Sequence, residues 1–173
     1  MKKKFITFTI LLFFSMFAFS QNIIPKDFST QTVEGKAVTF ADFQKAEITM
    51  LNIWGTFCSP CIREMPDLAE LSNKYQDRNF QIIGIVLDVT NSNGNINQKK
   101  LNEAKNIISL TNVSYKNLVP TKNMIDTFLH NIHVVSNTFF IDKNGNQIGD
   151  EIFGSKSKNE WEKIIDEKLK LVE

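Results

Sequence analysis

L-N-I-W-G-T-F-C-S-P-C-I-R-E-M-P, residues 51–66, holds both cysteines of a 173-residue chain. An uncharged apolar run, Met50 to Trp54, gives way to a short turn and then to Cys58-x-x-Cys61, whose second half opens a predicted helix. This is a strand-to-helix junction carrying a dithiol. The first N–H groups of a helix lack partners, and the aligned peptide dipoles leave partial positive charge there. A thiolate at Cys58 is therefore favoured over a thiol, and Cys58 is the expected nucleophile. Cys61, one turn further in, lies close enough to form a disulfide with it and is expected to be more buried.

Outward from this stretch the chain alternates strands and helices. Ile48 to Trp54 reads as a central strand buried on both faces. Pro60 stands in the first helical turn, where its missing N–H costs nothing, and the helix is predicted to reach about Asp77. Met65, Leu68, Ala69, Ser72 and Tyr75 form its apolar stripe, with Arg63, Glu64, Asp67, Glu70 and Lys74 largely elsewhere. Pro66 lies inside and is expected to bend it. Phe80 to Leu87 is a second buried strand ending at Asp88, the Asn-rich stretch Thr90 to Asn97 is a loop, and Leu101, Ala104, Ile107 and Ile108 mark a helix. Strand, helix, strand, helix implies parallel pairing.

On the N-terminal side, Gly35 between two alternating runs predicts a β-hairpin, and Ala41 to Lys45 a helical turn. On the C-terminal side, Tyr115 to Val119 is a strand, and Pro120-Thr121 opens a helix through Met124, Ile125, Phe128 and Leu129. Ser136 to Ile141 is a strong strand. Asn144-Gly145 predicts a type I′ turn, with Gln147 to Phe153 returning antiparallel. Ser157 and Glu160 fit a capping box for a last helix whose apolar face is Trp161, Ile164, Ile165 and Leu169.

Lys2 to Lys4, the apolar run Phe5 to Phe19 and the small residues at Ala18 and Ser20 read as a secretory signal cut after Ser20, so residues 1–20 are set apart from a single domain, 21–173. An uncleaved anchor is the alternative, but a span needs about 20 apolar residues. Removing the signal takes away three lysines and no acid, and the formal charge falls from +1 to −2. That balance argues against a nucleic-acid or anionic-membrane surface. Two cysteines three apart make no multi-bridge scaffold. Export to the periplasm or another extracytoplasmic space leaves an active dithiol or a small-loop disulfide.

Gly35-Lys36 with Phe40-x-Asp42-Phe43, W-G-T-F-C-S-P-C-I-R-E-M-P at 54–66, T-F-F-I-D-K-N-G at 138–145 and Gly154 together resemble the thioredoxin superfamily, specifically the exported TlpA and ResA type of thiol-disulfide oxidoreductase. The resemblance runs from about Pro25 to the C-terminus. It implies an α/β thioredoxin fold, a mixed central β-sheet flanked by helices, with an N-terminal β-hairpin extension. It further implies a protein disulfide reductase in which Cys58 attacks, Cys61 resolves, and Trp54, Phe57 and Ser136 form the substrate surface. The partners implied are a disulfide-containing protein and a membrane thiol that donates electrons, with no cofactor. Two positions depart from the family: Phe57 replaces the Trp before the first cysteine, and Ser136 stands where a cis-proline faces the dithiol. A cis bond before a non-proline residue costs about 3–4 kcal/mol, so Val135–Ser136 is expected to be trans. Val119-Pro120-Thr121 spells the family's proline tripeptide, but a helical period follows it, so Pro120 is read as opening a helix.

Plainer chemistries compete. A permanent Cys58–Cys61 bridge closes too short a loop to stabilise much. Structural zinc needs four ligands, and His130 and His133 lie far along the chain and read as surface or loop residues. The peroxiredoxin pattern P-x-x-x-T-x-x-C finds Leu51 and Gly55 where Pro and Thr should be. Asp88, ending the neighbouring strand, is the candidate for the buried acid that accepts a proton from the second cysteine. A solvated strand end is the alternative, and Val89 aligns there equally well. A second functional class is a thioredoxin-fold binding module with a slow or vestigial dithiol.

Overall fold

The computed structural model describes residues 21–130, 132 and 135–172. Residues 1–20, read from the sequence as a secretory signal, and His133 lie outside them. The elements in order are β1 (Ser29–Thr32), β2 (Ala37–Thr39), α1 (Phe40–Phe43), β3 (Ile48–Trp54), α2 (Ser59–Tyr75), β4 (Phe80–Val86), a 3₁₀ turn (Leu87–Val89), α3 (Gln98–Leu110), β5 (Lys116–Val119), α4 (Lys122–Asp126), β6 (Asn137–Asp142), β7 (Ile152–Phe153) and α5 (Lys158–Leu169). The seven strands form one mixed sheet in the order β2-β1-β5-β4-β3-β6-β7. β3, β4 and β5 run parallel, as the strand–helix alternation requires, while β6 pairs antiparallel to β3 and the β1–β2 hairpin adds antiparallel to β5. This is the thioredoxin-like α/β arrangement with its hairpin extension.

Side-chain alternation along β3 sorts the core. Leu51 and Ile53 point into a cluster with Ile83, Ile85, Phe139 and Ile141 of the sheet and Phe43 of α1. Ile48 and Met50 point the other way, against Leu68 and Leu71 of α2 and Trp161 and Ile165 of α5. Trp54, at the end of the strand, joins the two cysteines, Met65, and Leu101 and Ala104 of α3. Every β3 residue is buried, Thr49 and Asn52 included, which explains why the strand is uncharged and largely apolar.

The hairpin extension is pinned by Asp42. Its carboxylate takes bonds from the Thr39 N–H at 2.9 Å, Lys45 at 2.7 Å and Lys116 of β5 at 2.9 Å. Burial opposes ionisation, but these three donors hold its pKa well below the usual value. A lowered carboxylate stabilises the fold above its unfolded value of 3.8 and loses that contribution as pH falls through its folded value. Asp42→Asn is therefore expected to lower the urea midpoint at pH 7 and to lose its difference from the parent in strong acid.

Gly84 in β4 has a packing reason. A Cβ there would stand 2.1 Å from Asn117 Oδ1, the acceptor of the Trp54 indole N–H at 2.8 Å. Gly84→Ala is expected to lower unfolding free energy by about 2 kcal/mol, because overpacking is joined by a broken buried hydrogen bond. Denaturant titration reads this directly.

Several local expectations need correction. The turn after β6 is not type I′, which needs positive φ at both central residues. Only Gly145 has it, at 83°. Asp142 Oδ1 instead accepts the N–H groups of Asn144 and Asn146 and dictates the turn. The returning segment pairs as β7 over only Ile152–Phe153, with a bridge at Gln147, whose N–H goes to the Gln21 carbonyl. α4 spans five residues and leaves out Phe128 and Leu129: Thr127 Oγ1 bonds the Asn123 carbonyl and the backbone departs from helix there. Its entry is as expected, with Thr121 as the cap directly after Pro120.

Candidate active site: a dithiol at the start of α2

The turn Gly55–Cys58 is closed by the Cys58 N–H on the Gly55 carbonyl at 3.0 Å and delivers Cys58 as the N-cap of α2. Its sulfur accepts the Cys61 N–H at 3.3 Å, which satisfies one of the free donors at the helix start. Cys58 and Cys61 are joined as a disulfide with Cα atoms 5.3 Å apart. Cys58 keeps 6% of its surface exposed and Cys61 1%, the order expected of an attacking and a resolving sulfur. Phe57, immediately before, is 62% exposed and forms an apolar shelf beside the pair.

Trp54 does not join that shelf. It is fully buried, with its indole committed to Asn117, so its assignment to the substrate surface is corrected: it is the floor under the dithiol.

Ser136 precedes β6, beside Val135, which packs against the cluster containing both cysteines. Among the described residues no peptide bond is cis, and Val135–Ser136 is trans as expected. Without the ring of a proline the backbone adopts φ +64°, and Ser136 is 96% buried there, its carbonyl accepting the Gly154 N–H at 2.8 Å. A non-glycine residue in this left-handed region is strained by about 1–2 kcal/mol. Restoring the family residue would therefore harm this protein. Proline fixes φ near −65°, so Ser136→Pro is expected to lower stability by about 2 kcal/mol, whereas Ser136→Gly leaves it level or higher. Thermal melting of the two variants checks the contrast.

Asp88 is only partly buried, its side chain 17% exposed, where a buried acid was expected. Its carboxylate is spent on the turn before Cys58: Oδ1 accepts the Thr56 N–H at 3.0 Å and Oδ2 the Thr56 hydroxyl at 2.6 Å, with Lys100 of α3 at 3.5 Å. The buried acid is Glu64, which the sequence reading left on the polar side of α2. It is 96% buried, one turn beyond Cys61 on the same helix face. Oε2 accepts the Trp161 indole N–H at 3.1 Å and the Lys156 backbone N–H at 3.0 Å, while Asn52 Nδ2 and the Ser136 hydroxyl approach Oε1 at 3.4 and 3.5 Å. Burial pushes its pKa up, and those donors only partly offset it. The spacing Cys61, Glu64, Leu68, Leu71, Tyr75 carries the signal that would have placed it inward.

His130 is exposed, and among the described residues no group of three or more His, Cys, Asp or Glu could hold a metal ion. Among the same residues no helix is long and apolar enough to cross a membrane.

Known proteins share this arrangement. The thiol-disulfide oxidoreductase ResA of Bacillus cereus (strain ATCC 10987) is 29% identical over 140 residues, 80% of this chain and 73% of that protein. ResA of Bacillus anthracis is 28% identical over 137 residues, 79% and 71% of the two chains. A thioredoxin-family thiol:disulfide interchange protein from Chlorobium tepidum TLS superposes with a TM-score of 0.69 at 25% identity, covering 87% of this chain and 98% of that one. A secreted disulfide oxidoreductase of Mycobacterium tuberculosis shares the fold at a TM-score of 0.59 and 18% identity, covering 78% and 91%. With the AhpC/TSA family model matching residues 22–146, the chain belongs to the AhpC/TSA family.

Proposed function

We propose that this protein is an extracytoplasmic thiol-disulfide oxidoreductase that reduces disulfides in proteins through Cys58 and Cys61. The observation that carries the reading is the Cys58 sulfur at the N-cap of α2, bonded to a nearly inaccessible Cys61. In the reduced enzyme Cys58 thiolate attacks one sulfur of the substrate, the substrate S–S bond breaks, and the departing sulfur takes a proton. Cys61, once deprotonated, attacks the Cys58 sulfur of the mixed disulfide and expels the second substrate thiol. Two electrons pass to the substrate, and the Cys58–Cys61 disulfide is left. Glu64 is the acid placed to receive the Cys61 proton, since it shares that helix face and its ordinary pKa of 4.5 is raised. Phe57 and the backbone around Ser136 receive the substrate.

Regeneration needs a thiol donor. A membrane thiol carrier fits export of domain 21–173 after removal of residues 1–20, and the basic, then apolar, then small-residue N-terminus supports that route. The test is turnover: residues 21–173 are incubated with a disulfide-containing protein and an excess of small thiol. Reduction faster than by the thiol alone is expected, and no acceleration in either direction would sink the enzyme reading.

A further inference from the structure

Beside the dithiol lies a second polar cluster that the exchange steps leave unused. Thr56 is 94% buried in the turn that presents Cys58, two residues before it. Both its polar donors go to one carboxylate: the N–H to Asp88 Oδ1 at 3.0 Å and the hydroxyl to Asp88 Oδ2 at 2.6 Å. Because that hydroxyl donates to Asp88, its oxygen is free to accept, and the Lys100 ammonium reaches it at 2.8 Å from α3. The result is a directed chain, Lys100 to Thr56 to Asp88, closed by the 3.5 Å ion pair between its ends and extended by Glu103 on Lys100 at 2.9 Å. Two opposite charges from two different elements thus converge on one turn residue. Surface stability alone gives little reason for this, since exposed ion pairs contribute about 0–1 kcal/mol.

We propose that Asp88 and Lys100 are positioning residues that act through Thr56 on the Cys58 turn and set the reactivity of the Cys58 sulfur in opposite directions. The proposal rests on Cys58 as the attacking sulfur. Asp88 fixes the turn, yet places a negative charge near a sulfur that must become negative. Lys100 offsets that charge while gripping the same hydroxyl. Of the charged groups nearby in sequence or bonded to these residues, Arg63 and Glu64 lie on α2 just after Cys61, Glu103 bonds Lys100 and the Lys156 N–H bonds Glu64, and the variants below leave all four in place.

The experiment follows iodoacetamide alkylation of the fully reduced domain 21–173 against pH, with the modified cysteine located by mass spectrometry and thermal melting run in parallel. Lys100→Met is expected to raise the midpoint for Cys58 and slow alkylation about threefold below it, whereas Asp88→Asn lowers the midpoint and speeds alkylation by a similar factor, an effect sized for partly exposed charges. Lys100→Arg is expected to keep the parental midpoint, and the Lys100→Met, Asp88→Asn double variant to return near it. Lys100 is a third exposed, so its variants report even where Asp88→Asn fails to fold. Midpoints unchanged in Lys100→Met, or shifted the same way in both single variants, would overturn the proposal and leave the cluster purely structural. Alkylation of Cys61 before Cys58 in the parent would instead overturn the assignment of the attacking sulfur, and the proposal with it.

Discussion

Cys61→Ser, expressed with its native N-terminus, is expected to accumulate covalently bound to its substrate, while Cys58→Ser loses all turnover and binds nothing covalently. The asymmetry follows from position. Cys58 caps α2 with its sulfur on the Cys61 N–H and retains exposed surface; Cys61 is sealed under Trp54, Met65 and α3. On the proposed mechanism the first sulfur meets the substrate and the second expels it. In the Cys61→Ser variant the mixed disulfide on Cys58 has no internal thiol to release it, so it persists until an external thiol arrives. Non-reducing electrophoresis followed by mass spectrometry reads the outcome and names the substrate. A ladder carried by Cys58→Ser, or an empty trap for Cys61→Ser, would reverse the assigned roles or favour the binding-module reading.

The strands around the dithiol were legible because their physics is periodic and local. Ile48–Trp54 and Phe80–Val86 carry no charge and are mostly apolar because both faces are covered, and the capping box at Ser157 and Glu160 forms as its spacing requires. What escaped was set by particular side-chain partners, some of them distant in sequence. Asn144-Gly145 carries a hairpin signature, yet Asp142 bonds two N–H groups of the turn and imposes another geometry. Trp54 and Phe57 both looked like aromatic contacts for a substrate. Their fates differ because Asn117, 63 residues from Trp54, holds the indole inside, whereas the Phe57 ring lies over Gly55 and stays 62% exposed.

The two acids show the same limit more sharply. Asp88 sits at a strand end beside the presumed site, the natural place to look for a proton acceptor, and the fold spends it on Thr56. Glu64 sits among charged residues on a helix and reads as solvated. Trp161 and Lys156, more than 90 residues on, and Asn52 supply the donors that make its burial tolerable. No local pattern contains those partners. On the proposed mechanism the exposed Phe57 and the backbone around the strained Ser136 are what the dithiol offers a substrate.

Glu64→Ala is expected to be the most damaging substitution for stability. It strands the Trp161 indole N–H and the Lys156 N–H without their acceptor, while the Asn52 amide keeps the Thr138 hydroxyl at 3.3 Å, and each buried group left unpaired costs about 1–3 kcal/mol, so a total near 3 kcal/mol is expected. Glu64→Gln keeps the shape and one acceptor oxygen and is expected to cost less. The two also differ from the parent in pH dependence. A carboxyl whose folded pKa lies above its unfolded value of 4.5 contributes stability fully below that value and loses it as pH rises through the folded one. Parental stability should accordingly decline over that interval, and Glu64→Gln should remove the decline. Urea midpoints at a series of pH values measure this. Turnover gives an independent check: if Glu64 receives the Cys61 proton, Glu64→Gln slows release of the mixed disulfide at neutral pH and recovers at alkaline pH, where Cys61 ionises unaided. A variant equally slow at every pH would confine Glu64 to holding α2, β3 and α5 together.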